Sequence, residues 1–299
     1  MQPALLALDW GTTSLRAFLL AHDATVLARQ RLPLGILKIP HGDFAAVFAR
    51  VRAHWPAAGA LPALACGMIG SRQGWVEAPY CPCPAGLDEL AAALLPVPGV
   101  ERLWLVPGLS HRGADGLPDV MRGEETQLLG LGDGLHVLPG THSKWARVQG
   151  GRVESFITCF TGELYGLLRD HSIIGRLLEG EDFDPAAFHR GLALAARQPA
   201  LLRQLFSARS LPLSGELAST AVASYLSGLL IGTEVVTALA CLDPPTGPVT
   251  VVGDPQLTHR YREALHHHGL ASDSADEDSA ARGLYRIAAA AGLLENNHA

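Results

Sequence analysis

Apolar positions open the chain in the stretch "LALDWGTTSLRAFLL" (Leu6 to Leu20), an apolar run broken by an acid, a glycine and a cluster of hydroxyls before apolar residues resume. The pattern predicts a strand, a tight polar turn and an outgoing strand, with a return strand from Val26 to Leu32. "DFAAVFARVRAHW" has helical spacing with Asp43 as N-cap, "LPALACGMIG" reads as a strand entering a glycine-rich loop, "GLDELAAALL" as a helix and "ERLWLVPG" as a strand. "LSHRGADGLPDVMRGEETQ" is rich in Gly, Pro and charge, which suits a connection between domains or a cleft wall. The boundary is placed within it, giving domains 1–122 and 123–299. Beyond come a strand ("LHVLPG"), a hairpin, several helices between Gly162 and Leu242, a short strand ("VTVVG") and helices beginning near Pro255 and Ser279. Alternating strands and helices predict an α/β fold of layered sheets.

"AVASYLSGLLIGTEVVTALACL" is long enough to cross a bilayer, but its Ser, Gly, Thr and Glu234 favour a buried central helix, broken near Gly232. With 299 residues, 48% hydrophobic and 17% charged, the chain has the composition of a globular protein rather than a disordered one. The net charge of −6, with no basic stripe, argues against a nucleic-acid partner. No basic segment followed by an apolar one marks the N-terminus for export, so a cytoplasmic location is expected. Five scattered cysteines fit reduced thiols, and Cys81 and Cys83 lack the second ligand pair a zinc site needs. Self-association is left open.

The opening turn admits two readings. It is either a plain β-turn capped by Asp9, or a loop whose amides near Gly11, Thr12 and Thr13 face a phosphate, with Asp9 holding its Mg²⁺. Internal repetition favours the second. "LALDWGTTSLRAFLLAHDATVLARQ" and "LHVLPGTHSKWARVQGGRVESFI" share a strand, a Gly-Thr-x-Ser turn, an outgoing strand, a polar turn and a return strand, matching Gly11, Thr12 and Ser14 to Gly140, Thr141 and Ser143. Both loops lead into strands, which disfavours P-loop and dinucleotide folds, where the glycine loop opens a helix.

These two segments resemble the phosphate loops of the sugar kinase, Hsc70 and actin superfamily. That resemblance implies two ribonuclease-H-like domains with a nucleotide cleft between them. "VTVVGDPQLTHRYREAL" resembles the superfamily's adenosine-site turn at Gly253 and Asp254, although the usual paired glycines are missing. At family level, "LDWGTTSLRA", "GMIGSRQGW", "PDVMRGEETQLLG", "LPGTHSKW", "TGELYGLLRDHSIIGRL" and "YLSGLLIGTE" together resemble the 2-dehydro-3-deoxygalactonokinases. The resemblance implies ATP- and Mg²⁺-dependent phosphorylation of a small sugar acid on its terminal hydroxyl.

Phosphoryl transfer needs neutralised phosphates, in-line positioning and a base. Asp9 is the candidate Mg²⁺ carboxylate; Thr12, Thr13, Gly140, Thr141 and Ser143 are candidate phosphate donors, and Arg16 or Lys144 would add positive charge. In related carbohydrate kinases an acid at a helix start before the second loop is the base, which implies Glu124, with Glu125 second. The helix dipole at such a position would keep the carboxylate ionised. Arg72 or Arg122 would pair with the substrate carboxylate, and Gln73, Glu163, Tyr165 and His171 would read hydroxyls. Rival readings are an exopolyphosphatase-like phosphohydrolase and a non-catalytic, nucleotide-gated binding module.

Overall fold

The computed structural model describes residues 1–180, 182–197, 200–275 and 278–294, and the chain divides into two compact units. Unit 1 comprises residues 1–133, 148–155 and 276–299; unit 2 comprises 134–147 and 156–275.

In unit 1 the strands β1 (Pro3–Trp10), β2 (Leu15–Ala21), β3 (Val26–Leu32), β4 (Ala63–Cys66), β6 (Leu95–Pro96) and β7 (Leu103–Leu105) form one sheet in the order β3-β2-β1-β4-β7-β6. β1 runs antiparallel to β2 and parallel to β4, and β4 parallel to β7. Five consecutive residues of β1, Ala4 to Leu8, are buried, the near-continuous apolar run expected of a strand covered on both faces. Helix α1 (Phe44–His54) places Phe44, Val47, Phe48 and Val51 against this sheet, and its Asp43 cap accepts from the Ala46 amide at 2.9 Å, as expected.

The Gly/Pro-rich stretch read as a connection between domains or a cleft wall is itself folded into strands. Strands β5 (Tyr80–Pro82), β8 (Gly108–Arg112) and β9 (Pro118–Met121) make a second sheet in which β8 and β9 form a hairpin. Leu109 and Met121 are buried, and the Gly and Asp residues serve the hairpin turn, where Asp115 Oδ1 accepts from the Leu117 amide at 2.9 Å. Short helices α2 (Leu87–Ala92) and α3 (Glu124–Leu129) complete the contiguous part of the unit.

Unit 2 repeats the plan. β10 (Gly134–Leu138), β11 (Ser143–Gln149), β12 (Arg152–Cys159), β13 (Val249–Val251) and β14 (Ser272–Ser274) are ordered β12-β11-β10-β13-β14, with β10, β13 and β14 parallel, and only residues 148–155 of β11, β12 and their turn are counted with unit 1. This is the order β3-β2-β1-β4-β7 again, so the repeat read in the sequence is a repeat of topology. Helices α4 (Thr161–His171), α5 (Pro185–Ala195), α6 (Leu201–Leu205), α7 (Ser207–Leu213), α8 (Val222–Cys241) and α9 (Pro255–His267) belong to this unit. α8 is the expected buried helix, but it is unbroken at Gly232. Glycines on both helices let α5 and α8 meet closely: a Cβ on Gly228 of α8 would lie 2.0 Å from Phe188 O, and one on Gly191 of α5 would lie 2.2 Å from Tyr225 O.

Helix α10 (Ser279–Ala290) returns the chain to unit 1 and docks on α3, where a Cβ on Gly283 would lie 1.8 Å from Thr126 O. The observed partition therefore differs from a single cut at 122/123, because α3 and α10 pack backbone to backbone within the first unit.

Candidate functional site

In unit 1 the first glycine loop leaves the carboxyl end of β1, the edge at which parallel-sheet proteins place their ligands. The Gly11 amide bonds Ser14 O at 3.0 Å, closing a tight turn that leaves Thr12 and Thr13 exposed. Trp10 Nε1 donates to Leu34 O at 2.8 Å from beneath, and Gly35 presses so close that a Cβ there would lie 2.2 Å from Thr12 O. Asp9, facing Arg16 across β1 and β2, accepts from Arg16 Nε at 2.9 Å and also from Nη2. Arg16 is thus committed to orienting Asp9 rather than standing free for a phosphate.

Two glycines crowd the same corner. Gly67, just past β4, has φ +93° and would place a Cβ 3.4 Å from Asp9 Oδ1; Gly123, with φ +110°, would place one 3.1 Å from Gly67 Cα. Both positive φ values and these approaches require glycine. The result brings the start of α3, with Glu124 and Glu125, to the strand ends that carry Asp9. The buried Cys66 thiol reports the charge collected there: burial pushes it well up, and Asp9 and Glu125 push it further.

The two adjacent acids separate. Glu124 is half-buried, its Oε2 accepting from the Arg122 amide at 3.1 Å. Glu125 is fully buried and turns back on its own helix, accepting from the Gly123 amide at 2.6 Å and from Thr126 Oγ1 at 3.0 Å. Burial, and then the neighbouring Glu124, push the Glu125 carboxyl from its ordinary 4.5 to about 8. The expectation that the helix dipole keeps the carboxylate at this position ionised fails for Glu125, the second candidate, because desolvation outweighs the short α3. An unfolded chain releases this proton near pH 4.5 while the folded one holds it to about 8, so stability falls as pH rises between those values. Glu125→Gln is expected to remove that fall: its urea midpoint, measured against wild type from pH 5 to 8, gains steadily on the native protein. A constant difference across the range would contradict the buried proton.

The candidate arginines also diverge. Arg72 and Gln73 are exposed, and Arg72 Nε lies 3.6 Å from Glu77 Oε1. Arg122 is buried at 8% exposure, with its guanidinium 4.3 Å over the Tyr80 ring and Nη2 donating to Ala78 O at 2.8 Å.

In unit 2 the second glycine loop leaves the carboxyl end of β10, and Thr141 is exposed while Gly140 is half-buried. The first turn of α4 supports it. The Glu163 amide donates to Thr141 O at 2.9 Å, and a Cβ on Gly162 would lie 2.2 Å from Gly140 O. Glu163 Oε2 also meets His142 Nε2 at 2.5 Å, so this acid serves the loop itself. Ser143 is buried, and its hydroxyl points inward to Tyr261 Oη at 2.8 Å rather than out of the loop; Lys144 is buried in β11 and is not a solvated strand residue. Tyr165 lies on α4 under Arg169, 5.8 Å from its ring, and His171 is exposed at the end of the helix. The Gly253 turn follows β13 beside Pro139, and Asp254 caps α9, accepting from the Gln256 amide at 2.9 Å.

Sequence reasoning used Glu234 only as a sign that the apolar helix is buried and gave it no role at the second loop. This buried acid in α8 accepts from Trp145 Nε1 and from Tyr261 Oη, each at 2.7 Å. Tyr261 gives its proton to Glu234, so Ser143 donates to Tyr261, and the network ties the strand leaving the second loop to α8 and α9. Burial raises the Glu234 carboxyl against the hydrogen bonds from Thr161, Trp145 and Tyr261 that lower it. The available signal was a single carboxylate inside an apolar helix.

Among the described residues no group of three or more His, Cys, Asp or Glu gathers as a metal cage. A lone carboxylate at a strand end, with space kept beside it by Gly67, fits Mg²⁺, which binds through one or two carboxylates plus phosphates and water.

The comparisons with known proteins agree over nearly the whole length. A relative from Escherichia coli (strain K12), a 2-dehydro-3-deoxygalactonokinase, is 38% identical over 271 residues, covering 89% of this chain and 90% of the relative. One from Rhizobium meliloti (strain 1021), named a "probable 2-dehydro-3-deoxygalactonokinase", is 40% identical over 287 residues, covering 92% and 93%. A crystal structure of a Sinorhizobium meliloti protein described as the same kind of kinase superposes with a TM-score of 0.87 at 39% identity, covering 96% of this chain and 98% of that one. The fold is thereby the mixed α/β architecture of that kinase structure. The model of the 2-keto-3-deoxy-galactonokinase family matches residues 9–287, from the carboxylate that begins the first glycine loop to the last turns of α10, and the chain belongs to that family.

Proposed function

We propose that the chain transfers the γ-phosphoryl group of ATP to the terminal C6 hydroxyl of 2-dehydro-3-deoxy-D-galactonate, forming the 6-phosphate and ADP in galactonate breakdown. The observation that carries this reading is the family match, which takes in both glycine loops and the acids of α3. Transfer of a phosphoryl group asks little covalent chemistry of a protein and much positioning and charge neutralisation. The exposed hydroxyls and amides of Thr12, Thr13 and Thr141 suit phosphate oxygens, and the Gly253–Asp254 turn suits the nucleoside. Asp9, oriented by Arg16, would hold Mg²⁺, which supplies positive charge against the phosphates when bound. Glu124 is the proposed base: its carboxylate is half-buried, whereas its neighbour Glu125 holds its proton at neutral pH.

The test is ADP release from Mg-ATP with and without a panel of 2-keto-3-deoxy sugar acids, with the product identified by NMR. Strong stimulation by the galacto acid, with phosphate on C6, is the expected result. ADP release indifferent to sugar acid would favour a nucleotide-gated module, and orthophosphate release from polyphosphate would favour a phosphohydrolase.

A further inference from the structure

We propose that Arg122 is the residue by which the site selects an acid over a neutral sugar, its guanidinium pairing with the carboxylate of the bound substrate. The inference rests on the sugar-acid kinase reading above and adds a specificity-determining residue to it.

Arg122 is an expensive residue to keep where it is. It is buried, and among the described residues its Nε and Nη1 have no hydrogen-bond partner. A buried cation whose donors are unmet is strongly destabilising unless something anionic meets it. The rest of the group is held. Nη2 is spent on Ala78 O, and one face lies over Tyr80, so the guanidinium plane is set before any ligand arrives. Gly70 borders the unmet side: a Cβ there would lie 3.1 Å from Nη1. A planar, fixed guanidinium with donors in reserve is the natural complement of a carboxylate.

Its position connects it to the chemistry. Arg122 follows directly on β9, and its own amide donates to Glu124 Oε2, so the cation and the proposed base leave one short turn. A substrate gripped at its carboxylate by one would present its far end at a distance set by the other. Arg72 offers none of this: its side chain is 87% exposed and has an acid, Glu77, as neighbour.

Arg122→Met and Arg122→Lys separate the possibilities, assayed with the sugar acid and with its neutral methyl ester. In the methionine variant the KM for the sugar acid is expected to rise about a hundredfold, with kcat and the KM for ATP within a few-fold of wild type. The preference of wild type for acid over ester should collapse, and lysine should restore part of it. Arg72→Met should leave both KM and preference unchanged. If the methionine variant does not fold, as judged by circular dichroism and ATP binding, the lysine variant decides: an unaltered KM and preference there overturn the proposal. So does a folded methionine variant with an unaltered preference, or loss of preference in Arg72→Met. Wild type that turns over no sugar acid overturns the kinase reading and this inference together; wild type that turns it over while the Arg122 variants match it overturns this inference alone.

Discussion

Asp9→Asn is expected to lower sugar-acid-dependent ADP release about a thousandfold while the protein melts within a few degrees of wild type. The size follows from what the carboxylate is asked to supply. A metal ion stabilises the charge of a transferring phosphoryl group by several kcal/mol, and about 4 kcal/mol corresponds to about three powers of ten in rate. Asparagine keeps an oxygen that accepts from Arg16 Nε, so the strand pairing of Asp9 with Arg16 survives. The pair is part-buried, with side chains 14% and 32% exposed, and trading its charged acceptor for a neutral one that keeps the hydrogen bond costs about 1 kcal/mol. Single-turnover assays over a range of Mg²⁺ concentrations, with calorimetry alongside, check both halves. Turnover close to wild type would remove Asp9 from the metal role.

The second large effect is one of stability. Glu234→Ala takes away the acceptor for both Trp145 Nε1 and Tyr261 Oη, leaving two buried donors unmet and a cavity in the middle of α8. Each orphaned donor costs about 1–3 kcal/mol, so a total loss of about 3–5 kcal/mol is expected. For a chain of this size that is a fall of about 10 °C in the melting midpoint. Glu234→Gln should lose less, since it fills the space but sets an amide donor where only acceptors are wanted. Differential scanning calorimetry distinguishes these cases. A midpoint for the alanine variant within about 2 °C of wild type would show that the network does not hold the second loop's strand.

The parts legible in the sequence were those with local causes. The Gly-Thr-x-Ser turns interrupt apolar strands with residues that cannot continue them, and Asp43 precedes a helical stripe; both appear as read. The parts that were not legible are set by partners far along the chain. β14 is Ser-Asp-Ser, polar throughout, and is a strand only because β13 pairs with it. Gly and Pro between Leu109 and Gly123 suggested a connection or a cleft wall, whereas the residues there pair as a hairpin whose inward residues are few. Glu234 finds its acceptor role through Trp145 and Tyr261, 89 and 27 residues away. Nor does the dipeptide Glu124-Glu125 say which acid goes inside; the backbone of Gly123 decides that, by turning its amide toward Glu125.

Gly35 and Gly162 carry no chemistry, yet each sits where its missing methyl would overlap a carbonyl of a glycine loop, at 2.2 Å in both units. The consequence is one of mutational tolerance. In a saturation library scored for growth on galactonate, positions 35 and 162 should accept glycine alone, while Thr13 and Thr141, whose side chains are exposed, should tolerate other small polar residues. Two of the most intolerant sites around these loops would then have no side chain at all, and a survey of functional groups would pass over both. Alanine at either position, recovered at wild-type frequency, would mean that the loop above it has room to move.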